Sequence, residues 1–405
     1  MLVENAFPAD IRVWNEAHTL SQAGYPVTVI ALRKPGEKFH EEVNGVLVYR
    51  VPALTVFEKL GGARSTVGRV IGIFQACMGY ILEYLYFTSA CFLLSIYVAF
   101  QRGVDVVHAH NPPDTLFVVG AFHRLLGKRF IFDHHDLSPE LYLSRFGIQN
   151  GEGGIIYKML LAIEKLSLRI ANIAIATNES YKQVQIQRGK LEEDKVFVVR
   201  NGPDLRRVKV VPGDPNLLAI GKNILCYVGA LNPQDGVDYM LRALQHLAFT
   251  LSRKDFFCVV IGTGDAFEQL KTMTDTLGLK DYVWFAGFVS DEELVRYLST
   301  ADICLDPNPS SPLNDVSTWI KVMEYMAVGK PTVSFDLKET RVTAQEAAAY
   351  VTPNDEQAFA KQIAFLMDRP DLREKMGEFG KRRIDEELAW NVVSQNLLRA
   401  YASLR

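Results

Sequence analysis

Apolar positions in this chain gather into short continuous runs separated by helical spacing and turn residues. One series occupies residues 27–31, 46–51, 104–108, 129–133, 173–177 and 196–200; a second occupies 224–229, 256–262, 283–287, 303–307, 331–335 and 349–352. Runs that stay apolar without alternating suit strands covered on both faces. The helical stretches between them predict β-α-β crossovers in parallel sheets. Asp10 is placed to cap a helix over 11–23, in which Val13, Ala17 and Leu20 share a face and Gly24 supplies the stop. Gly329, with Pro331 beyond it, closes another helix at Val328. Residues 201–222 are dense in glycine and proline and read as a linker. The pattern predicts an α/β chain of two doubly wound parallel-sheet domains, with Leu2 and Val3 as the stub of an opening strand.

Composition narrows the function classes. At 405 residues, 48% apolar and 22% charged, the chain has the material for two or three packed domains and is no disordered tail. Lys and Arg total 44 against 47 Asp and Glu, so the positive excess that draws nucleic acid is missing and nucleic acid is not an expected partner. The five cysteines are scattered without zinc-type spacing, and no basic region followed by an apolar stretch succeeds Met1; a reducing, cytoplasmic setting is expected. One segment changes this picture. Over 70–100 the only charge is Glu83, and the uncharged stretch 84–100 falls short of the roughly 20 residues that cross a bilayer. Lys59, Arg64 and Arg69 precede it and Arg102 follows. Two readings stand: an apolar helix lying on the inner face of the plasma membrane, or a long helix buried between strands.

Candidate chemistry concentrates at 310–333, a loop, a helix and a strand. Ser317 and Thr318 sit at the expected helix start, where unpaired N–H groups and the helix dipole attract phosphate. Lys321, expected one turn inside, adds a full positive charge. Glu324 suits the two hydroxyls of a ribose, although Lys321 and Glu324 are also spaced as an ordinary i, i+3 ion pair. Gly262-Thr263-Gly264 after a strand is too short for a dinucleotide fingerprint and reads as a tight turn beside a base, with Gly287 similarly placed. His134 and His135 end the 129–133 run, where side chains of an open sheet reach a ligand crevice. Of His108 and His110, one is expected to be a core histidine. The Asn111-Pro-Pro-Asp114 turn shapes the same edge.

The string Glu324-Tyr-Met-Ala-Val-Gly-Lys-Pro-Thr-Val resembles the nucleotide-sugar segment of family 4 glycosyltransferases with the GT-B fold. The resemblance continues through Asp10-Ile-Arg-Val with Glu16-Ala, Val106-Val-His-Ala-His-Asn-Pro-Pro-Asp, Phe132-Asp-His-His-Asp, Val199-Arg-Asn-Gly-Pro and Val260-Ile-Gly-Thr-Gly-Asp. It implies two Rossmann-like domains facing a cleft: an acceptor-side domain at 1–203, a nucleotide-sugar domain at 204–388, and a final helix at 389–405 returning to the first. It further implies a retaining transfer from a nucleotide-diphosphate sugar to a glycan or lipid-linked acceptor in surface polysaccharide synthesis, with no metal and no other cofactor. On matching positions, Glu324 holds the ribose and His135 stands near the donor sugar. Asp136, Glu140, His134 and Asn111 become acceptor-side candidates. The family's first Glu falls on Val316, so Asp315 would recognise the sugar hydroxyls by a one-residue shift. Ala230 and Asp235 stand where the family places an Arg and a Lys for the diphosphate, leaving Lys321, the helix start and Arg200 to compensate; the alternative for Arg200 is pairing with a carboxylate at the domain interface. An epimerase or phosphorylase of the same plan, and a non-catalytic membrane-associated relative, are the alternatives.

Overall fold

The computed structural model describes residues 1–54, 66–145 and 154–404, with side chains of the helix Thr66–Arg102 described from Met78. Lys59 and Arg64 therefore lie outside the described residues, as do the side chains of Arg69 and Cys77. The chain divides into two compact units, Met1–Val199 with Ser394–Arg405, and Arg200–Val393.

The first unit is built on eight strands: β1 (Leu2–Ala6), β2 (Thr28–Arg33), β3 (His40–Val43), β4 (Val46–Pro52), β5 (Val106–His110), β6 (Arg129–His134), β7 (Ile173–Ala176) and β8 (Val196–Val198). Their order is β3-β4-β2-β1-β5-β6-β7-β8, parallel throughout except for β3 against β4. That hairpin turns on Asn44 and Gly45, both at positive φ (48° and 82°), the pairing that matches strand twist in a two-residue turn. The run expected at 104–108 forms its strand two residues later, so that His108 and His110 are both strand residues.

Helices cover both faces of this sheet, which explains the unbroken apolar runs. On one face lie α1 (Ile11–Gln22), capped by the Asp10 carboxylate accepting from Val13 N–H, and a core of Val13, Ala17, Val29, Ala31 and Val48. On the other lie α2 (Thr66–Arg102), α3 (Phe117–Leu125) and α4 (Gly154–Ile170), contributing Phe87, Cys91, Val98, Val119 and Leu168 to a core with Ile30, Tyr49 and Phe130.

The second unit carries β9 (Asn223–Val228), β10 (Phe256–Ile261), β11 (Val283–Gly287), β12 (Ile303–Asp306), β13 (Thr332–Phe335) and β14 (Ala348–Val351), all parallel in the order β11-β10-β9-β12-β13-β14. The order reverses between β9 and β12, the switch point beyond whose carboxyl ends doubly wound sheets bind ligands. Helix α5 (Ile320–Ala327) precedes β13, and α6 (Trp390–Ala402) ends the chain, its last residues belonging to the first unit. Cys226, Cys258 and Cys304 are free thiols buried in this unit's strands.

Candidate functional site

In the second unit, α5 is anchored by its own tyrosine. Tyr325 is fully buried; its hydroxyl accepts from Val228 N–H at 2.9 Å and donates to the Leu305 carbonyl at 3.3 Å. One side chain thus ties the helix to β9 and β12, on either side of the switch point. The helix begins at Ile320 with Trp319 as its cap, so Lys321 lies in the first turn rather than a turn inside. Ser317 and Thr318 precede the helix rather than start it. A short turn at Asn314–Val316 intervenes, and the Ser317 hydroxyl donates to the Leu313 carbonyl because the chain has not yet become helical.

Lys321 is buried, with Nζ 3.4 Å from the Tyr227 hydroxyl, 3.6 Å from Asp306 Oδ1, and over the rings of Tyr227 and Trp319 at 4.7 and 5.3 Å. Asp306 ends β12, is fully buried, and also accepts from Ser334 Oγ at 3.0 Å. Burial raises its pKa, and the Lys321 charge opposes that rise. The ammonium therefore meets π-electrons on one side and a carboxylate on another. Asp235, in the position of a family cation, closes a capping box with Asn232; burial raises its pKa against the pull of Lys321.

Glu324 lies one turn beyond Lys321, buried, its carboxylate bound by Arg207. Arg207 reaches Asp291 as well, at 2.9 Å. Burial raises the Glu324 pKa and Arg207 counters it. The i, i+3 ion pair that the spacing of Lys321 and Glu324 also allowed does not form. Each points to a different partner. Arg207 was hidden in the stretch taken as linker, where its only sequence signal is an Arg pair in a segment otherwise written in glycine and proline.

Gly262 follows β10 at φ 133°, and a Cβ there would sit 1.9 Å from the Gly229 carbonyl oxygen. Its role is close approach between the loops after β9 and β10. Gly262 N–H donates to the Gly287 carbonyl at 2.8 Å, so these two glycines form one edge. Asp315 sits on the turn before α5, its carboxylate accepting from Ser310 Oγ at 3.1 Å. Arg200 lies 3.8 Å from Glu339, the carboxylate pairing offered as its other role.

The first unit gathers its chemistry at the carboxyl ends of β5 and β6. Asp133 is the hub. Its carboxylate takes Arg12 Nη2 at 2.8 Å and Nε at 3.3 Å, with His135 Nε2 at 3.1 Å, His110 Nδ1 at 3.3 Å and His108 Nε2 at 3.5 Å. Arg12 Nε donates to His135 Nε2 at 2.9 Å, and Nη2 lies 3.1 Å from Glu16. Burial disfavours the Asp133 charge, but Arg12 and the three histidines hold its pKa well below the usual carboxylate range. Burial and Asp133 together push Glu16 well above it. Burial lowers His108 to about 4 and His110 well below its usual value. The opposite charges of Arg12 and Asp133 meet at the centre of the cluster, 2.8 Å apart. Arg12 and Glu16 are buried on α1 beside Val13, Ala17 and Leu20, and a charged i, i+4 pair next to a core-facing stripe was the available signal. Glu16, His108, His110 and Asp133 bring metal-ligand atoms within 4.8 Å of one another, and the Arg12 guanidinium already supplies the cation there.

His134 does not join this cluster. Extended backbone sends neighbouring side chains to opposite faces, so His134 is fully buried beside Glu164 at 3.3 Å while His135 keeps 16% exposure. Glu140 is likewise committed, paired with Arg188, which also holds Glu164. Asn111 is a brace. Its amide oxygen accepts from His135 N–H at 2.6 Å and Asp136 N–H at 3.2 Å, and its nitrogen donates to the Asp136 carbonyl at 2.7 Å. Burial raises the Asp136 pKa. Both expected strand histidines are buried, stacked 4.3 Å apart, with His108 Nδ1 at 2.9 Å from the hydroxyl of Tyr401 on α6.

Two family profiles match the chain: "Glycosyltransferase Family 4" over residues 9–207 and "Glycosyl transferases group 1" over 214–383. An uncharacterized glycosyltransferase of Methanocaldococcus jannaschii is 24% identical over 259 residues, 60% of this chain and 63% of that protein. The lipopolysaccharide core biosynthesis glycosyltransferase LpsD of Rhizobium meliloti is 27% identical over 173 residues, 42% of this chain and 47% of that protein. The matches thus span less than two-thirds of each relative. A sucrose-phosphate synthase from Thermosynechococcus elongatus shares the fold at TM-score 0.76 and 19% identity, covering 99% of this chain and 94% of that one. Anabaena HepE in complex with UDP-glucose does so at 0.69 and 16%, covering 99% and 98%. The chain belongs to the family 4 glycosyltransferases, with the two Rossmann-like sheets of the GT-B fold.

Proposed function

We propose that this protein transfers a sugar, with retention, from a nucleotide-diphosphate sugar to a glycan or lipid-linked acceptor in surface polysaccharide synthesis, at the cytoplasmic face of a membrane and without a metal. The observation that carries the reading is Lys321: a buried ammonium in the first turn of α5, beside the switch point of the second sheet, with Glu324 one turn on. A leaving diphosphate needs preorganised positive potential in a site sheltered from water. Lys321 and the N–H groups of the helix start supply it where the family's Arg and Lys are replaced by Ala230 and Asp235. Glu324, steadied by Arg207, receives the ribose hydroxyls. Asp315 and the edge formed by Gly262 and Gly287 serve the sugar and the base. In the first unit His135, the partly exposed member of the Asp133 cluster, serves the donor sugar, and Asp136 the acceptor. LpsD, a lipopolysaccharide core biosynthesis glycosyltransferase, and HepE in complex with UDP-glucose support this substrate class.

The test is release of nucleoside diphosphate from a panel of nucleotide sugars, with and without a lipid-linked acceptor, followed by the anomeric configuration of the product. Acceptor-dependent release with retention is expected. Conversion of the donor without acceptor would identify an epimerase or phosphorylase, and failure to bind any nucleotide would identify a non-catalytic relative.

A further inference from the structure

The three helices on one face of the first sheet carry a second face that is exposed among the described residues. Along α2 the inward positions Phe87, Cys91 and Val98 are buried in the core. The outward positions are apolar too: Leu85, Leu93 and Phe100 are 52%, 68% and 87% exposed, at spacings that keep them on one stripe. Met78–Arg102 has the length and hydropathy of a membrane span. Its buried inner face packs it against the sheet of the first unit.

The stripe does not end with α2. Leu125 on α3 is 87% exposed, and on α4 Ile155 and Met159 are 75% and 53% exposed. α3 joins the other two: Phe92 packs on Phe122 with ring centroids 4.9 Å apart, and Arg124 donates to the Ile170 carbonyl. The polar exception on the α2 stripe, Ser89, returns its hydroxyl to the Leu85 carbonyl at 2.7 Å. Arg102, Arg124, Lys158 and Arg169 are exposed among these apolar side chains. Among the described side chains of the three helices the acids are Glu83 and Glu164, and Glu164 is buried against His134 and Arg188.

From this we infer that α2, α3 and α4 together form a docking face for an anionic lipid bilayer, laying the first unit flat on the headgroups with its apolar residues in the acyl boundary. The charge pattern selects this occupant: the exposed cations Arg102, Arg124, Lys158 and Arg169 outnumber the half-buried Glu83 and match anionic headgroups, and helix stripes ringed by Lys and Arg bind such interfaces. A membrane of this kind would bring a lipid-linked acceptor to the enzyme, so the inference rests on the proposed acceptor class while enlarging the surface from one helix to three.

The experiment is flotation of the full chain with phosphatidylcholine vesicles and with vesicles also containing phosphatidylglycerol. Light scattering gives its mass in solution, and titration with UDP and GDP reports the nucleotide site. Binding to the anionic vesicles is expected. Arg102→Gln/Lys158→Gln/Arg169→Gln should weaken it about a hundredfold, at roughly fivefold per cation. Leu93→Gln/Phe100→Gln/Leu125→Gln should abolish it with nucleotide binding unchanged. Absence of binding to anionic vesicles overturns the inference, as does a dimer that the apolar triple variant converts to monomer. Vesicle binding without UDP or GDP binding would instead overturn the functional reading alone.

Discussion

Replacing Lys321 by Met keeps the stem that lies along Gly229 and removes only the charge. In the structure that charge serves Asp306, whose Oδ1 lies 3.6 Å from Nζ and has no hydrogen-bond partner. Breaking a buried pair by removing one member costs about 3–5 kcal/mol. Because burial already raises the Asp306 pKa, proton uptake relieves part of this, so Lys321→Met should destabilise by about 3 kcal/mol at pH 7 and by less as pH falls. Adding Asp306→Asn removes the orphaned charge and should restore most of the unfolding midpoint. Turnover behaves differently. A lost preorganised electrostatic contact of this kind costs about a hundredfold to a thousandfold in kcat, and neutralising Asp306 cannot return it. Urea unfolding and donor turnover on the single and double variants separate the two roles. A double variant that turns over normally would refute the place of Lys321 in the chemistry. A single variant of unchanged stability would refute its pairing with Asp306.

Three further outcomes follow from the same geometry. Glu324→Gln should weaken UDP or GDP binding about tenfold, the scale of hydrogen bonds to a charged group; unchanged affinity by calorimetry would remove Glu324 from the ribose. Gly262→Ala puts a methyl against the Gly229 carbonyl and should cost at least about 1–3 kcal/mol, read as a lowered Tm; an unshifted Tm would show that the two loops separate freely. Burial depresses the pKa of His108 to about 4, so its contribution to stability is complete above 6.5 and is lost as pH falls between these values, at most about 3 kcal/mol at 1.36 per unit. Between pH 7 and 4.5 the native chain should therefore lose more stability than His108→Asn, and equal losses would contradict a buried neutral imidazole.

The sheets were legible because burial on both faces writes itself as uninterrupted apolar runs, and the second sheet's strands fall within a residue of the expected bounds. The β3–β4 hairpin escaped although Asn44-Gly45 is its turn signal: His40–Val43 carries His and two Glu, and an edge strand need not be apolar. Site residues were legible only where the chemistry lies in one stretch. Lys321 and Glu324 share a helix and were found as a pair, but their partners Asp306 and Arg207 come from distant segments. Arg12, Glu16 and Asp133 meet only after the sheet places β6 near the helix that follows β1, and no spacing in the sequence encodes that.

Such partners also set the charge around Lys321, where Ala230 and Asp235 stand in place of two family cations. A site with Arg and Lys at positions 230 and 235 would carry positive charges beside Lys321; here Asp235 and Asp306 surround it, and both have raised pKa values because burial disfavours their charge. The buried ammonium of Lys321 is thereby opposed by carboxylates rather than crowded by further cations. Arrival of a diphosphate adds negative charge near these carboxylates and should raise their pKa values further. Donor binding should then take up protons, and calorimetry in buffers of different ionisation enthalpy measures that uptake. Uptake that vanishes in Asp306→Asn and Asp235→Asn together would place the diphosphate at Lys321. Uptake unchanged in that double variant would place it elsewhere.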